Sequence, residues 1–286
     1  MRPFLAVLAA LIALPLLGQN SLLDQGRAAM NRNDADAAAV LFEKAVAQNP
    51  KSAEAHYLLG TAYGSQAQKA SIFSQMSLAG KTKEEFEKAV EIDPALTDAR
   101  FGLVQFYAMA PGIAGGSFDK AFAQVAEIKK HDPLMAHRAA AFIYTQQKKP
   151  AEARNEYLAE VREYPKLARA YVDLGVTYIL EKNFKAANDA FETAVKVEPT
   201  YLPAYFRVGQ SAAMTGSNFA KGEEALRKYL AYTPKPGEPP LARAHYWLGQ
   251  IFEKTGRKAE AKASFETSLK LNPAQKDVAE ALKRVS

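Results

Sequence analysis

The chain has 286 residues, 37 Lys and Arg against 31 Asp and Glu, a net charge of +6 and no cysteine. The missing thiols exclude a disulfide scaffold, thiolate metal sites and a cysteine nucleophile, while 48% apolar and 24% charged residues are the proportions of an ordinary globular chain. The surplus positive charge is scattered and never gathers into a run, which argues against nucleic acid as a partner.

The chain opens with MRPFLAVLAALIALPLLG, in which Arg2 precedes an apolar stretch from Phe4 to Leu17. That stretch is shorter than the roughly 20 residues a membrane-spanning helix needs, and it has the length of a secretory signal core. Residues 1–18 therefore read as a signal peptide. The expectation is an exported chain starting near Gln19, periplasmic in a bacterial envelope or secreted, with no integral membrane span once mature.

From Gln19 onward the sequence repeats. Prolines that stop apolar helical runs recur at Pro50, Pro94, Pro133, Pro165, Pro199, Pro234 and Pro273. Their spacing is a period near 34 with insertions, the sign of a stack of short units. In Ala170–Pro199, Tyr171, Leu174, Gly175 and Tyr178 make one helical stripe and Ala187, Phe191 and Ala194 a second, so each repeat is two antiparallel helices. Ala244–Pro273 repeats the pattern with His245, Leu248, Gly249 and Phe252, then Ala261, Phe265 and Ser268. Repeat 1 supplies Gly26, Ala29, Ala38, Phe42 and Ala45, and repeat 2 supplies His56, Leu59, Gly60, Tyr63, Phe86 and Ala89. Repeats 3, 4 and 6 depart most: Val104 replaces the small residue, Glu160 replaces the late alanine, and Tyr229 stands at that same late position.

These residues resemble the tetratricopeptide repeat. The resemblance covers the mature chain and implies an all-α, right-handed superhelical solenoid of helix-turn-helix repeats. Seven repeats are expected, at 19–52, 53–96, 97–135, 136–167, 168–201, 202–241 and 242–275, with residues 276–286 as a C-terminal capping helix that covers the last apolar face.

Apparent chemical motifs dissolve on inspection. The string ending in Gly80, Lys81 and Thr82 has Gln75 where a phosphate-binding loop needs glycine, and no strand precedes it. Of the four histidines, His56, His137 and His245 share one packing position on the first helices of separate repeats, so convergence on one metal ion is not expected. No G-x-S-x-G elbow occurs. The sequence predicts a non-enzymatic protein without cofactor or metal.

What the resemblance implies about function is binding of a protein or peptide segment in a concave groove lined by the first helices. Its inward register falls on Tyr57, Phe101, Arg138, Phe206 and Tyr246, with Phe142 one turn further along its helix and Arg169 and Arg243 at the entry edge. Aromatic and arginine side chains are the types enriched in binding hot spots. The rival reading of the same aromatics is support for neighbouring helices. The rival function is a small-molecule or lipid carrier using an apolar channel.

Two insertions complete the pattern. The extra residues of repeat 2 fall within Gly64–Lys81, and those of repeat 3 within Ala110–Ser117. Equivalent loops of successive repeats emerge side by side, so Phe73, Met76 and Leu78 are expected near Ile113. Gly112, Gly115 and Gly116 would form a loop that either offers backbone amides to a ligand or packs over its neighbour. Packing has the better physical case, because three apolar side chains there need covering.

Overall fold

The structure, a computed structural model, describes residues 21–235 and 237–286. The expected signal peptide lies outside them. Among the described residues there is no strand. Two compact units divide between Lys149 and Pro150. The first holds α1 (21–31), α2 (Ala35–Gln48), α3 (Ala53–Ala67), α4 (Ile72–Ile92), α5 (Thr97–Met109), a 3-10 turn (Gly112–Ala114), α6 (Phe118–Lys129) and α7 (Pro133–Gln146). The second holds α8 (Pro150–Glu163), α9 (Ala168–Leu180), α10 (Phe184–Val197), α11 (Leu202–Thr215), α12 (Phe219–Leu230), α13 (Leu241–Lys254), α14 (Lys258–Leu271) and α15 (Lys276–Val285). In each unit consecutive helices pack as pairs and each pair packs on the next. The fold is all-α, as the repeat pattern predicts.

One device builds most of the pairs. A glycine on the first helix removes the side chain that would collide with a large residue of the second. A methyl on Gly26 would lie 2.2 Å from the Phe42 ring, on Gly175 2.4 Å from Phe191, on Gly209 2.2 Å from Leu226 and on Gly249 2.5 Å from Phe265. Phe42, Leu226 and Phe265 are fully buried and Phe191 almost so. In the second repeat Phe86 is held from two sides, by Gly60 of α3 and Gly102 of α5, so its ring ties one pair to the next.

A second device closes the junctions between repeats. His56, Arg100, Tyr171 and Tyr205 each donate a hydrogen bond six residues back, to the carbonyls of Pro50, Pro94, Pro165 and Pro199 at 3.0, 2.8, 3.1 and 3.1 Å. A carbonyl in a tight junction needs a partner, which explains why this packing position carries a polar side chain. His56 is buried, and its other ring nitrogen faces Glu85 Oε2 of α4 at 2.5 Å.

Two elements depart from the regular pair. The second helix of repeat 2, α4, has 21 residues where α2, α10 and α14 have 14. The surplus makes it about 10 Å longer. At the other end, α15 turns Val278, Ala281 and Val285 into the core of the second unit, and Arg243 donates to Asp277 Oδ2 at 2.6 Å.

Candidate functional site: an apolar cavity in the first unit

The extension of α4 lines, with α3, α5 and the 3-10 turn, an open cavity of about 670 Å³. One wall is the stripe Asp98, Phe101, Gly102, Gln105, Phe106 and Met109 of α5, which follows helical spacing along a single face. Tyr57, Thr61 and Ser65 of α3, with Gln68 just past its end, form the opposite wall. Ile72, Met76 and Ala79 of α4 and Pro111, Ile113 and Ala114 of the turn close the far end, while Gly60, Gly64 and Phe86 make the floor.

The walls are mainly apolar, with Gln68, Gln75 and Gln105 as the amides among them. Thr61, Ser65 and Thr82 spend their hydroxyls on the carbonyls of Tyr57, Thr61 and Leu78 in their own helices. Of the residues lining the cavity, Asp98 alone is charged. Burial, and then the charge of Asp98, pushes the Tyr57 phenol above its ordinary pKa, so it stays a neutral donor. Behind the α5 wall, Tyr107 donates to Glu87 Oε1 at 3.1 Å, and burial with that carboxylate pushes its phenol up to about 12.

The mouth is lined by large apolar side chains left in solvent. Ile72 is 71% exposed, Met76 55%, Met109 63% and Ile113 89%, and Phe73, beside Ile72 on α4, is 87% exposed. Isolated apolar side chains at a surface need no explanation, but a contiguous set around a concavity marks a binding surface.

Of the residues read from the sequence, Tyr57 and Phe101 come together as opposite walls. Phe142 meets Phe101 edge-on, with ring centroids 6.1 Å apart, and supports it without lining the cavity. Arg138, half-buried on α7, is not part of the wall. The other four belong to the second unit. Phe206 does not face a groove: it is 3% exposed and packs on Tyr229, because a tyrosine stands where the repeat usually has alanine and its ring takes up the space. Tyr246 is half-buried between Trp247 and Phe265. Arg243 is held over Tyr246 and bonded to Asp277, a contact internal to the fold. Arg169 stays at the surface, 3.8 Å from Asp173.

The insertions do share one edge, since Ile72, Met76 and Ile113 line the same cavity. They do not cover one another. Phe73, Met76 and Ile113 remain exposed, and Leu78 instead packs partly buried against the core of α1–α3. The amides of the glycine loop are also spent internally: those of Ala114 and Gly116 donate to Pro111, that of Gly115 to Gly112 and that of Ser117 to Tyr107. Gly115 has φ +94°, and a methyl on Gly116 would lie 1.8 Å from the Ala110 carbonyl. Gly112, with open space around it, has no such constraint. The loop is a rigid wall whose turn requires glycine. Asp98, Ile72 and the glycine floor were missed, although the charge-free run from Phe101 to Phe118 is visible in the sequence.

Family models described as tetratricopeptide repeat match residues 23–66, 168–201 and 242–275. No curated protein matches the chain. Among solved structures, a tetratricopeptide repeat protein from Parabacteroides merdae aligns with TM-score 0.53 at 14% identity, over 94% of this chain and 99% of that one. Pseudomonas aeruginosa PilF aligns with TM-score 0.51 at 15% identity, over 79% of this chain and 97% of that one. The APC/C hetero-tetramer Cut9–Hcn1 gives TM-score 0.56 at 14% identity and 91% of this chain, which spans only 48% of the matched chain. Repeat matches in both units, on helix pairs locked by glycine, give the conclusion: the chain carries tetratricopeptide repeats in each of its two units.

Proposed function

We propose that the chain is a non-enzymatic interaction scaffold, exported to the cell envelope, that holds an apolar segment of a protein partner in the cavity of its first unit. The observation that carries this reading is the concavity of about 670 Å³ walled by Tyr57 and Phe101 and rimmed by exposed Ile72, Met76, Met109 and Ile113. Such a rim, beyond the cavity itself, is covered by a partner with a surface of its own. A photo-crosslinking phenylalanine at Met76 in living cells should yield a protein adduct that Phe101→Asp abolishes, and the same probe at exposed Lys262 should not. Adducts equal at both positions, or none, overturn the reading. Export is tested separately by N-terminal sequencing, where a retained Met1 counts against it.

A carrier of small apolar molecules is the second reading, favoured by a volume inside the range of pockets that enclose such ligands. A ligand extracted from the purified protein and identified by mass spectrometry would support it.

A further inference from the structure

We infer that the cavity selects its partner by charge: it takes an apolar, uncharged stretch of a protein segment with a lysine or arginine about three helical turns from the apolar end. This rests on the reading of the cavity as a protein-binding site and adds the chemistry of the occupant.

The cavity is polarised along α5. Asp98 lies in its first turn and Met109 at its last residue, both lining the same cavity, so the two ends are about 16 Å apart. At the Met109 end stand Pro111, Ile113, Ile72 and Met76, all without charge. Residues 70–80 and 101–118, which supply these walls, contain no ionisable acid or base apart from Tyr107. At the other end Asp98 is exposed, and among the described residues it makes no ion pair. Its charge reaches the Tyr57 phenol. Arg27, whose charge also reaches that phenol, is already spent on Glu54 at 2.5 Å. Asp98 is therefore the one charge lining this end of the cavity.

Each end rejects something. An acidic residue pushed into the uncharged end would lose its hydration and find no cation, a cost that uncharged or apolar residues avoid. At the Asp98 end a carboxylate is repelled and an ammonium or guanidinium is attracted. A bilayer fits less well, because a flat surface meets the protruding Phe73 and Ile113 but leaves the concavity between α3 and α5 unfilled. A small apolar molecule fills the concavity and leaves those two side chains in water.

The test uses the chain with two fluorescein-labelled helical peptides of 14 residues. Both carry the same leucine stripe, and they end in Lys or in Glu. Fluorescence anisotropy should show the Lys peptide binding about fivefold tighter, the upper end of the range expected for an exposed charge pair. Asp98→Asn should bring the two within about twofold, Asp98→Lys should reverse the order, and Met76→Glu should weaken both. Circular dichroism confirms that each variant keeps its helix content. An unchanged Lys preference in Asp98→Asn, or tighter binding of the Glu peptide, overturns the charge rule and leaves the protein-binding site standing. Failure of both peptides to bind, or binding indifferent to Met76→Glu, overturns the charge rule and the protein-binding reading together. Met76-sensitive uptake of palmitate without peptide binding does the same in favour of the carrier.

Discussion

Phe101 and Phe206 hold the same register position in repeats 3 and 6 and meet opposite surroundings. Phe206 is closed in by Tyr229, whereas Phe101 keeps one face on the cavity and the other on Phe142. Phe206→Ala should therefore cost about 3 to 5 kcal/mol of stability. Phe101→Ala should cost only about 1 kcal/mol, while weakening partner binding by about 1 to 2 kcal/mol. Urea denaturation and peptide titration of the two variants separate these outcomes. The difference was not legible in the sequence, because it depends on which neighbour reaches the ring and not on the phenylalanine. The glycine and large-residue pairs, by contrast, were legible, since a missing side chain and its filler recur at fixed spacing. Lys182 offers a second test at this scale. It turns the chain from α9 to α10 at φ +59°, where the corresponding turn of the last repeat has Gly256 at φ +78°. Relief of left-handed strain exceeds the entropy cost of glycine, so Lys182→Gly should gain about 0.5 to 1 kcal/mol.

The α4 extension shows how a sequence template hides an element. Residues 64–81 read as an inserted connection because they interrupt the repeat, yet Ile72, Met76 and Ala79 are spaced along one helical face and no proline intervenes. The insertion is mostly helix, and the cavity follows from that. The glycine loop opposite it is equally committed: Gly116→Ala should displace Ala110 and collapse the wall, lowering stability by about 1 to 3 kcal/mol, whereas Gly112→Ala should be nearly silent in the same melting measurement. The cap helix responds to acid. Burial raises the Asp277 carboxyl, but the hydrogen bond and charge of Arg243 and the Val278 amide outweigh it and hold its pKa below the ordinary value. A depressed pKa gives stability that is complete above the unfolded value, about 3.9, and is lost as pH falls through the folded one. The α15 contact should thus weaken below about pH 4. Trp247, the single tryptophan, sits 5.4 Å from the Arg243 guanidinium. Its fluorescence should change between pH 5 and pH 3 in the native chain and not in Asp277→Asn.

Across the whole molecule, stability is local. Repeats that touch only their neighbours add their contributions, and the two compact units keep separate apolar clusters, so Phe86→Ala and Phe206→Ala should lower hydrogen-exchange protection each within its own unit. The repeat period made the helix pairing readable from the sequence, whereas the cavity arises from an exception to the period. Surface charge is just as uneven. The net charge of +6 favours repulsion between copies of the chain, but charge is absent from the mouth of the cavity, where no lysine or glutamate among the lining residues guards Ile72, Met76 or Ile113 against contact with a like molecule. In concentrated solution without a partner, the protein should behave as a sticky colloid. Static light scattering should give a negative second virial coefficient that ammonium sulfate deepens, and Ile113→Lys should turn it positive.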